Sequence, residues 1–555
     1  MQKNINWQIK QEGKVKDVFD VLLKNRGINT KQEMQEFLDP KDPRDFLITD
    51  YGVEKKQLKI AIDRIKIANE NNDSVVVYGD YDADGICATA ILWERIFSLG
   101  IDVMPFIPNR FTHGYGLAVK SIDEILEINP KVNLIITVDN GIVAHEALEY
   151  AKQKNIDVIV TDHHERDQKE PQALAVIHTT QTSGSGISFL FSQEIGREIK
   201  SSNLLAYGDG LELSAIGTVS DQLPLLNLNR SIVLHGIKDL QKTKRIGIDA
   251  ICEAAAIEKS KIGTYEINYV IAPRINAMGR LSDGVESLRL ICATKKDKAQ
   301  VLSKLVTETN IQRQNMVLKT VEMARNVGDL ERDKIIVLGS SEFHEGVVGL
   351  AASNLVEEFF RPAIVFSFSE GIAKASARSI NGFNIIEAVR NFSSYLIAGG
   401  GHPMAAGFSI KLDDFDEFRE KIINFANEQI IEDDLVRKIK ADCVIKLSDC
   451  NPQLYQEIQY FEPTGMGNPK PSFVSKKVKV VDLKKMGENQ KHLKLQVSDK
   501  TNTILLLIFN KDRFMIEPEK GDILDILYNI SSNTWMGKTE IQLIAKDIKK
   551  NVSRD

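Results

Sequence analysis

From Ser74 onward, short runs of β-branched and aliphatic residues alternate with longer stretches whose apolar positions recur every three or four residues. The runs are VVVY (75–78), VMPFI (103–107), LIITV (134–138) and DVIVT (157–161), with helical stretches such as 87–99 between them. Unbroken apolar runs joined by helices predict βαβ units and a parallel sheet covered on both faces, because a strand buried on both sides has no polar face to alternate. The preceding segment reads differently. GKVKDVFDVLLKNRG (13–27) and KKQLKIAIDRIKIANEN (55–71) have the spacing of amphipathic helices around the turn-rich LDPKDPRD (38–45).

Residues 297–325 lack Gly and Pro and predict one long helix, apolar at Leu302, Leu305 and Val306 and again at Met316, Val317 and Val321, with a polar middle from 307 to 315. Such a helix, buried at both ends and wet between, suits a bridge between domains. A second α/β segment follows from KIIVLGS (334–340) to about residue 426. Five alternating runs at hairpin spacing then predict a small barrel of the OB type: KVKVVDL (477–483), HLKLQV (492–497), TILLLIF (503–509), DILDILYNI (522–530) and EIQLIAKDI (540–548). The fold class is therefore α/β with a C-terminal β-barrel. The expected boundaries are 1–65 for an N-terminal helical region, 66–270 for the parallel-sheet domain, 271–328 for the connecting helices, 329–432 for the second α/β domain and 433–555 for the barrel domain.

The length of 555 residues requires several cores, since a single core stops growing near ~250 to 300 residues. The longest strongly apolar run is 504–509, and the start MQKNINWQIK has no signal-peptide core, so a soluble cytoplasmic protein is expected. Five cysteines without a CxxC pair disfavour a disulfide framework or a thiolate zinc site, leaving oxygen and nitrogen as metal ligands. A net charge of -6 argues only weakly for a polyanionic partner. Residues 471–555, however, carry 16 Lys and Arg against 11 Asp and Glu, so the basic character is concentrated where the barrel is expected.

The carboxylates give the clearest chemistry. VVVY runs straight into GDYDADG, LIITV into Asp139-Asn140-Gly141, and DVIVT into Asp162-His163-His164. Ligand crevices of open parallel sheets lie at the carboxyl ends of the strands, so Asp80, Asp82, Asp84, Asp139, Asp162, His163 and His164 should meet on one sheet edge. Mutual repulsion there would raise their pKa values and demand cations. Oxygen and imidazole ligands favour Mg²⁺ or Mn²⁺, and two such ions suit phosphodiester hydrolysis by water. A single Asp after a strand is usually a helix cap or turn residue. Three consecutive acid-bearing strand ends make that explanation insufficient for the set. No strand leads into GxGxxG, which disfavours a dinucleotide site.

GDYDADG, VDNG, TDHH and GTVSDQLPL (217–225) resemble, in order and spacing, the motifs of the DHH phosphoesterase superfamily, and GGGHPMAAG (399–407) resembles its associated domain. PNRFTHGYGL (108–117), APRINAMGR (272–280) and EPTGMGNPKPSF (462–473) extend the resemblance to the RecJ family of single-strand-specific exonucleases. That resemblance implies one metal on Asp80, Asp82 and Asp139 and another on Asp84, Asp139, His163 and Asp221, with Asp139 shared. It implies that His164 faces the scissile phosphate, that Asp162 orients its neighbours, and that no Ser or Cys nucleophile is needed. Arg110, Arg280, Ser376, Arg378, Gly400, Gly401 and His402 would hold the 5′ end and the next phosphates. The barrel would supply a basic groove, with Phe473, Phe509, Tyr528 and Trp535 as aromatic candidates equally suited to a core. The implied function is a Mn²⁺- or Mg²⁺-dependent exonuclease that releases 5′ mononucleotides from single-stranded DNA in repair and recombination. A monomer working with a helicase and a single-strand-binding protein is implied as well. The alternatives are a DHH phosphodiesterase for short oligonucleotides or cyclic dinucleotides and a non-catalytic scaffold. The chain departs from the family at 178–181, where His-Thr-Thr-Gln replaces an Asn-Pro-Asn-like turn.

Overall fold

The computed structural model describes residues 5–13, 17–201, 203, 205, 207–326 and 332–551. Residues 14–16 of the anticipated first helix lie outside that set; the helix itself spans Val18–Lys24. The chain forms two compact units, one of Thr30–Arg313 with Glu462–Pro469, the other of Met1–Asn29, Gln314–Phe461 and Lys470–Asp555. The opening strand β1 (Asn6–Gln11) belongs to the second of these.

The first unit is built on a five-stranded parallel sheet of β2 (Ser74–Tyr78), β3 (Asp102–Phe106), β4 (Val132–Val138), β5 (Asp157–Asp162) and β6 (Ala175–His178), in the order β3-β2-β4-β5-β6. Val75 to Val77, Leu134 to Ile136 and Val158 to Val160 are all buried. Each such side chain contributes roughly 1.5–3 kcal/mol on leaving water. Those gains oppose the cost of the carboxylates that the same strands bury at their ends. Helices Ala83–Ser98, Gly184–Glu198 and Leu211–Ser220 pack together beside the sheet. Glu462–Pro469 returns to this unit: Leu225 N–H donates to the Met466 carbonyl at 2.8 Å and Arg230 Nη2 to the Glu462 carbonyl at 2.9 Å. Two of the sequence motifs, GTVSDQLPL and EPTGMGNPKPSF, are thus packing partners.

A single helix covers Lys296–Asn326, and the division between units falls inside it, between Arg313 and Gln314. Its apolar pattern departs from the expectation at two places. Val306, Val317 and Val321 are buried, but Leu305 and Met316 are exposed, while Thr309 and Asn310 in the polar middle are buried.

The second unit contains a mixed sheet of β7 (Ile336–Ser340), β8 (Ala363–Ser369), β9 (Ile372–Arg378), β10 (Leu396–His402) and β11 (Ala405–Lys411), ordered β10-β11-β9-β8-β7, with only the β7–β8 pair parallel. Its core centres on Phe366, Phe408 and Phe418, whose rings meet edge-on or tilted. The C-terminal strands are β12 (Lys438–Val444), β13 (Phe473–Met486), β14 (His492–Ser498), β15 (Thr503–Ile508), β16 (Ile523–Trp535) and β17 (Lys538–Lys550). Pairing runs β13-β14-β15-β17-β16, and β16 also pairs with β13, giving a barrel-like sheet of the five anticipated runs. Of the aromatic candidates, Phe473 and Tyr528 are core and Phe509 and Trp535 are exposed.

The expectation of helices alone at the N-terminus is corrected by β1, which pairs in parallel with β12 from Asn6↔Lys438 to Gln11↔Cys443. Trp7 and Ile9 of NWQIKQ pack toward Ala441, Val474 and Leu527, and Trp7 Nε1 donates to Asp547 Oδ2 at 2.6 Å. Two apolar residues in a six-residue strand carry almost no periodic signal, and the partner lies far along the chain.

Candidate metal centre

The loop after β2 folds back tightly enough that a Cβ on Gly85 would lie 2.6 Å from the Asp80 Cβ. Asp80 Oδ1 accepts from the Tyr81 N–H at 2.8 Å, and Asp82 caps helix Ala83–Ser98 by accepting from the Gly85 N–H at 3.0 Å. Asp84, one residue into that helix, is held from a distant part of the chain. Its Oδ2 accepts from Gly184 N–H at 2.7 Å and its Oδ1 from Ser185 N–H at 3.0 Å, at the amino end of helix Gly184–Glu198, where backbone dipoles favour an anion. Asp139 leaves β4 in the left-handed region at φ 61° and sits against the same helix start. A Cβ on Gly184 would lie 2.4 Å from Asp139 Oδ1, and one on Gly217 would lie 2.1 Å from Asp84 Oδ1.

Asp162 at the end of β5 spends its oxygens on protein donors. Oδ1 accepts from the His163 and His164 backbone and from His164 Nδ1 at 2.7, 3.1 and 2.7 Å, and Oδ2 from Ile142 N–H at 2.9 Å. Burial alone would raise its pKa, but these bonds hold it below the ordinary carboxylate value. An ionised Asp162 makes His164 Nδ1 the donor, which leaves His164 Nε2 facing the Tyr115 hydroxyl at 2.9 Å. Burial would lower the His164 imidazole, yet the Asp162 bond and the surrounding carboxylates outweigh it and raise its pKa. His163 titrates below its usual value, chiefly through burial.

Three sets of side chains each offer ligand atoms within 4.8 Å of one another: Asp80, Asp82 and Asp139; Asp84, His163 and Asp221; and Asp139, His163 and His164. Asp221 enters as the residue that ends helix Leu211–Ser220. Burial first and neighbouring carboxylates second push Asp80 and Asp221 up to about 8, and Asp82 and Asp139 are raised by the same causes. The donor set fits a hard divalent cation. Asp139 Oδ1 makes the sharpest case: it is buried, lies 3.0 Å from His163 Nε2, and accepts no hydrogen bond among the described residues. An imidazole nitrogen and a carboxylate oxygen converging in this way suit a shared divalent cation.

Arginines flank the acids. The Arg110 guanidinium stacks over the Tyr81 ring at 4.7 Å. Burial lowers Arg280 to about 10, with Arg110 and Arg313 adding repulsion and Asp82 opposing it. Arg313, in the polar middle of the long helix, and Tyr115, in PNRFTHGYGL, were not singled out by sequence. Neither were Gly184, Ser185 and Gly217, although Ser-Gly-Ser-Gly at 183–186 is a recognisable helix start.

The other predicted contacts form their own group in the second unit. Through β11, cross-strand rows align Ser376 with Gly407 and Gly400, and Arg378 with Ala405 and His402. Arg378 Nη1 donates to Ser376 Oγ at 3.3 Å, and burial lowers its pKa. Strand β10 is the sheet edge, so among the described residues no strand pairs with Gly400, Gly401 and His402 on their outer side. Nothing lies within 4 Å of a Cβ built on Gly400, whereas one on Gly401, at φ 154°, would lie 2.4 Å from the Ala405 carbonyl oxygen.

Three family models match the chain: the DHH family N-terminal domain over residues 74–218, the DHHA1 domain over 332–428 and the RecJ OB domain over 441–547. The single-stranded-DNA-specific exonuclease RecJ of Bacillus subtilis is 33% identical over 541 residues, covering 95% of this chain and 67% of that protein. RecJ of Thermus thermophilus is 31% identical over 502 residues, covering 89% and 71%. The crystal structure of Thermus thermophilus RecJ in complex with Mn²⁺ superposes with a TM-score of 0.83 at 27% identity, covering 100% of this chain and 81% of that one. No helix among the described residues is long and apolar enough to cross a membrane.

Proposed function

The chain belongs to the RecJ family of DHH phosphoesterases, and from that premise we propose that it is a metal-dependent exonuclease acting 5′ to 3′ on single-stranded DNA and releasing 5′ mononucleotides. The observation that carries this reading is the pair of clusters Asp80, Asp82, Asp139 and Asp84, His163, Asp221, which His163 Nε2 links by lying 3.0 Å from Asp139 Oδ1. Asp80, Asp82 and Asp139 would hold one Mn²⁺ or Mg²⁺, and Asp84, Asp139, His163 and Asp221 the other. Two such ions supply Lewis acidity toward water and the scissile phosphate.

The chain's own groups do the rest. Asp162 fixes the ring of His164, whose raised pKa keeps a proton available beside the phosphate oxygens. Arg110 and Arg280 bring positive charge to the same region and position the phosphodiester. In the other unit, Ser376, Arg378 and the open edge at Gly400, Gly401 and His402 bind phosphate through hydroxyl, guanidinium and backbone N–H groups. Water adds to phosphorus as the bond to the 3′ oxygen breaks. The leaving 3′ oxygen takes up a proton, so the released nucleotide departs with a new 3′ hydroxyl, and the remaining strand gains a 5′ phosphate that is the next substrate. Strands opened by a helicase and covered by a single-strand-binding protein are the substrates this activity calls for, and a cytoplasmic monomer serving repair and recombination goes with it.

The test is digestion of a long 5′-labelled single strand, a duplex and a dinucleotide, each with Mn²⁺ and with EDTA. Metal-dependent release of labelled mononucleotide from the long strand, with the duplex resistant, is expected. Cleavage of the dinucleotide alone would replace this reading with a phosphodiesterase for short oligonucleotides.

A further inference from the structure

Residues 264–281 form one continuous helical run that opens with a short α turn (Thr264–Glu266), widens into a π turn (Ile267–Ile271) and closes as an α-helix (Ala272–Leu281). π turns recur at functional sites, because they re-aim side chains that a regular helix would space evenly. Ile267 and Ile271 are fully buried, and the opposite side presents Tyr265 and Tyr269, which are 65% and 63% exposed. Their rings lie 4.9 Å apart between centroids, tilted by 39°. Among the described residues neither hydroxyl has a hydrogen-bond partner.

The run is fastened to the metal centre at both of its parts. Asn268, beside Tyr269, accepts from Gln222 Nε2 at 2.9 Å, and Gln222 follows Asp221 directly. Further on, Asn276 Oδ1 accepts from the Ala83 N–H at 2.7 Å between Asp82 and Asp84. Tyr269 stands about 10 Å, two helical turns, before Asn276. Between them in sequence Arg274 uses Nη1 on the Val270 carbonyl at 2.8 Å, and its buried Nε has no partner among the described residues. A paired, exposed aromatic face on a helical run anchored to the residues around the acids matches the chemistry that grips unpaired bases through their π-faces.

We propose that Tyr265 and Tyr269 form a base-stacking platform for the single strand, engaging an unpaired nucleobase within a few nucleotides of the bond that is cut. The proposal rests on the exonuclease reading and specifies how the strand is held. Duplex bases, already stacked on their neighbours, cannot use such a platform, so it favours single strands without reading sequence.

The experiment is a cycle between protein and DNA variants. Binding of 5′-phosphorylated 12-mers, each with one abasic position, is read by fluorescence anisotropy in EDTA for the wild type, Tyr265→Ala/Tyr269→Ala and Tyr265→Phe/Tyr269→Phe. In the wild type and the Phe variant, an abasic site at one of the first positions should weaken binding about tenfold. The Ala variant should bind the intact strand about tenfold more weakly and lose nothing more at that abasic position. Both side chains are exposed, so circular dichroism should show all three proteins folded alike. Equal sensitivity of wild type and Ala variant to every abasic position would overturn the platform while leaving the exonuclease reading intact. Wild type that neither binds nor cuts any single strand would overturn both, and capture of duplex as tight as single strand would overturn the platform's selectivity.

Discussion

The acids at the ends of β2, β4 and β5 and the glycine-lined edge at β10 are both predicted anion or cation stations, yet they are built by opposite means. Among the acids, three are placed by rigid neighbours: Asp82 by its own helix, Asp84 by a second helix start, Asp162 by four protein donors. At β10 the outer backbone is simply left unpaired and exposed. The first must hold like charges together against burial and repulsion, which takes a stiff enclosure. The second offers donors that water satisfies until a phosphate replaces it, which takes only an open edge. Stiffness therefore belongs where the resting charge is unfavourable.

That contrast can be broken experimentally. The largest effect is expected from Asp139→Ala, which removes the residue common to two ligand sets: turnover on single strands should fall about 10³-fold or more. The metal-free variant should melt no lower than wild type, since a buried charge in a repelling cluster is gone. A large loss of melting temperature would show that Asp139 is instead a structural keystone.

A matched glycine pair sharpens the comparison. Gly184→Ala would drive a Cβ to 2.4 Å from Asp139 Oδ1 and should cost about 10- to 100-fold in metal affinity, measured by titrating Mn²⁺ into the chelated protein. Gly400→Ala meets open space and should leave metal affinity and melting temperature unchanged, with any effect confined to KM for the strand. Equal effects of the two substitutions would mean the regions are not differently enforced.

The smallest effect is in pH. Asp80 and Asp221 titrate near 8 in the folded protein, and near ~4 when unfolded. Between those values the native state holds more protons than the unfolded state, so stability of the metal-free protein should fall as pH rises from about 4 to 8. A melting temperature that drops by several degrees over this range in EDTA, and no longer drops in Mn²⁺, is expected from calorimetry.

The sequence made the acids legible for a physical reason. A buried parallel strand writes itself as an unbroken apolar run, and whatever follows the run must stand at the sheet's carboxyl edge, so Asp80, Asp139 and Asp162 could be placed before any coordinates. What holds the acids could not be read. Gly184 and Ser185 support Asp84 from a hundred residues away, and a glycine's role as clearance for another side chain leaves no local pattern. β1 was missed because its partner decides its structure, and Leu305 and Met316 were misplaced because helical periodicity gives a face but not the neighbour that covers it. Among the barrel aromatics, Phe473 and Tyr528 against Phe509 and Trp535 were separable only by burial. The tyrosine pair escaped notice because a π turn has no sequence period of its own.

The return of Glu462–Pro469 to the unit of Thr30–Arg313 has a consequence in time. During synthesis the segment carrying Asp221 and Leu225 leaves the ribosome more than two hundred residues before Met466, the carbonyl that Leu225 needs. A nascent chain can assemble the parallel sheet and all its acids yet still lack the backing of that segment. Packing of that unit is completed only once residues 462–469 are available, so a chain ending before residue 462 is expected to lack the backing that Leu225 and Arg230 receive here.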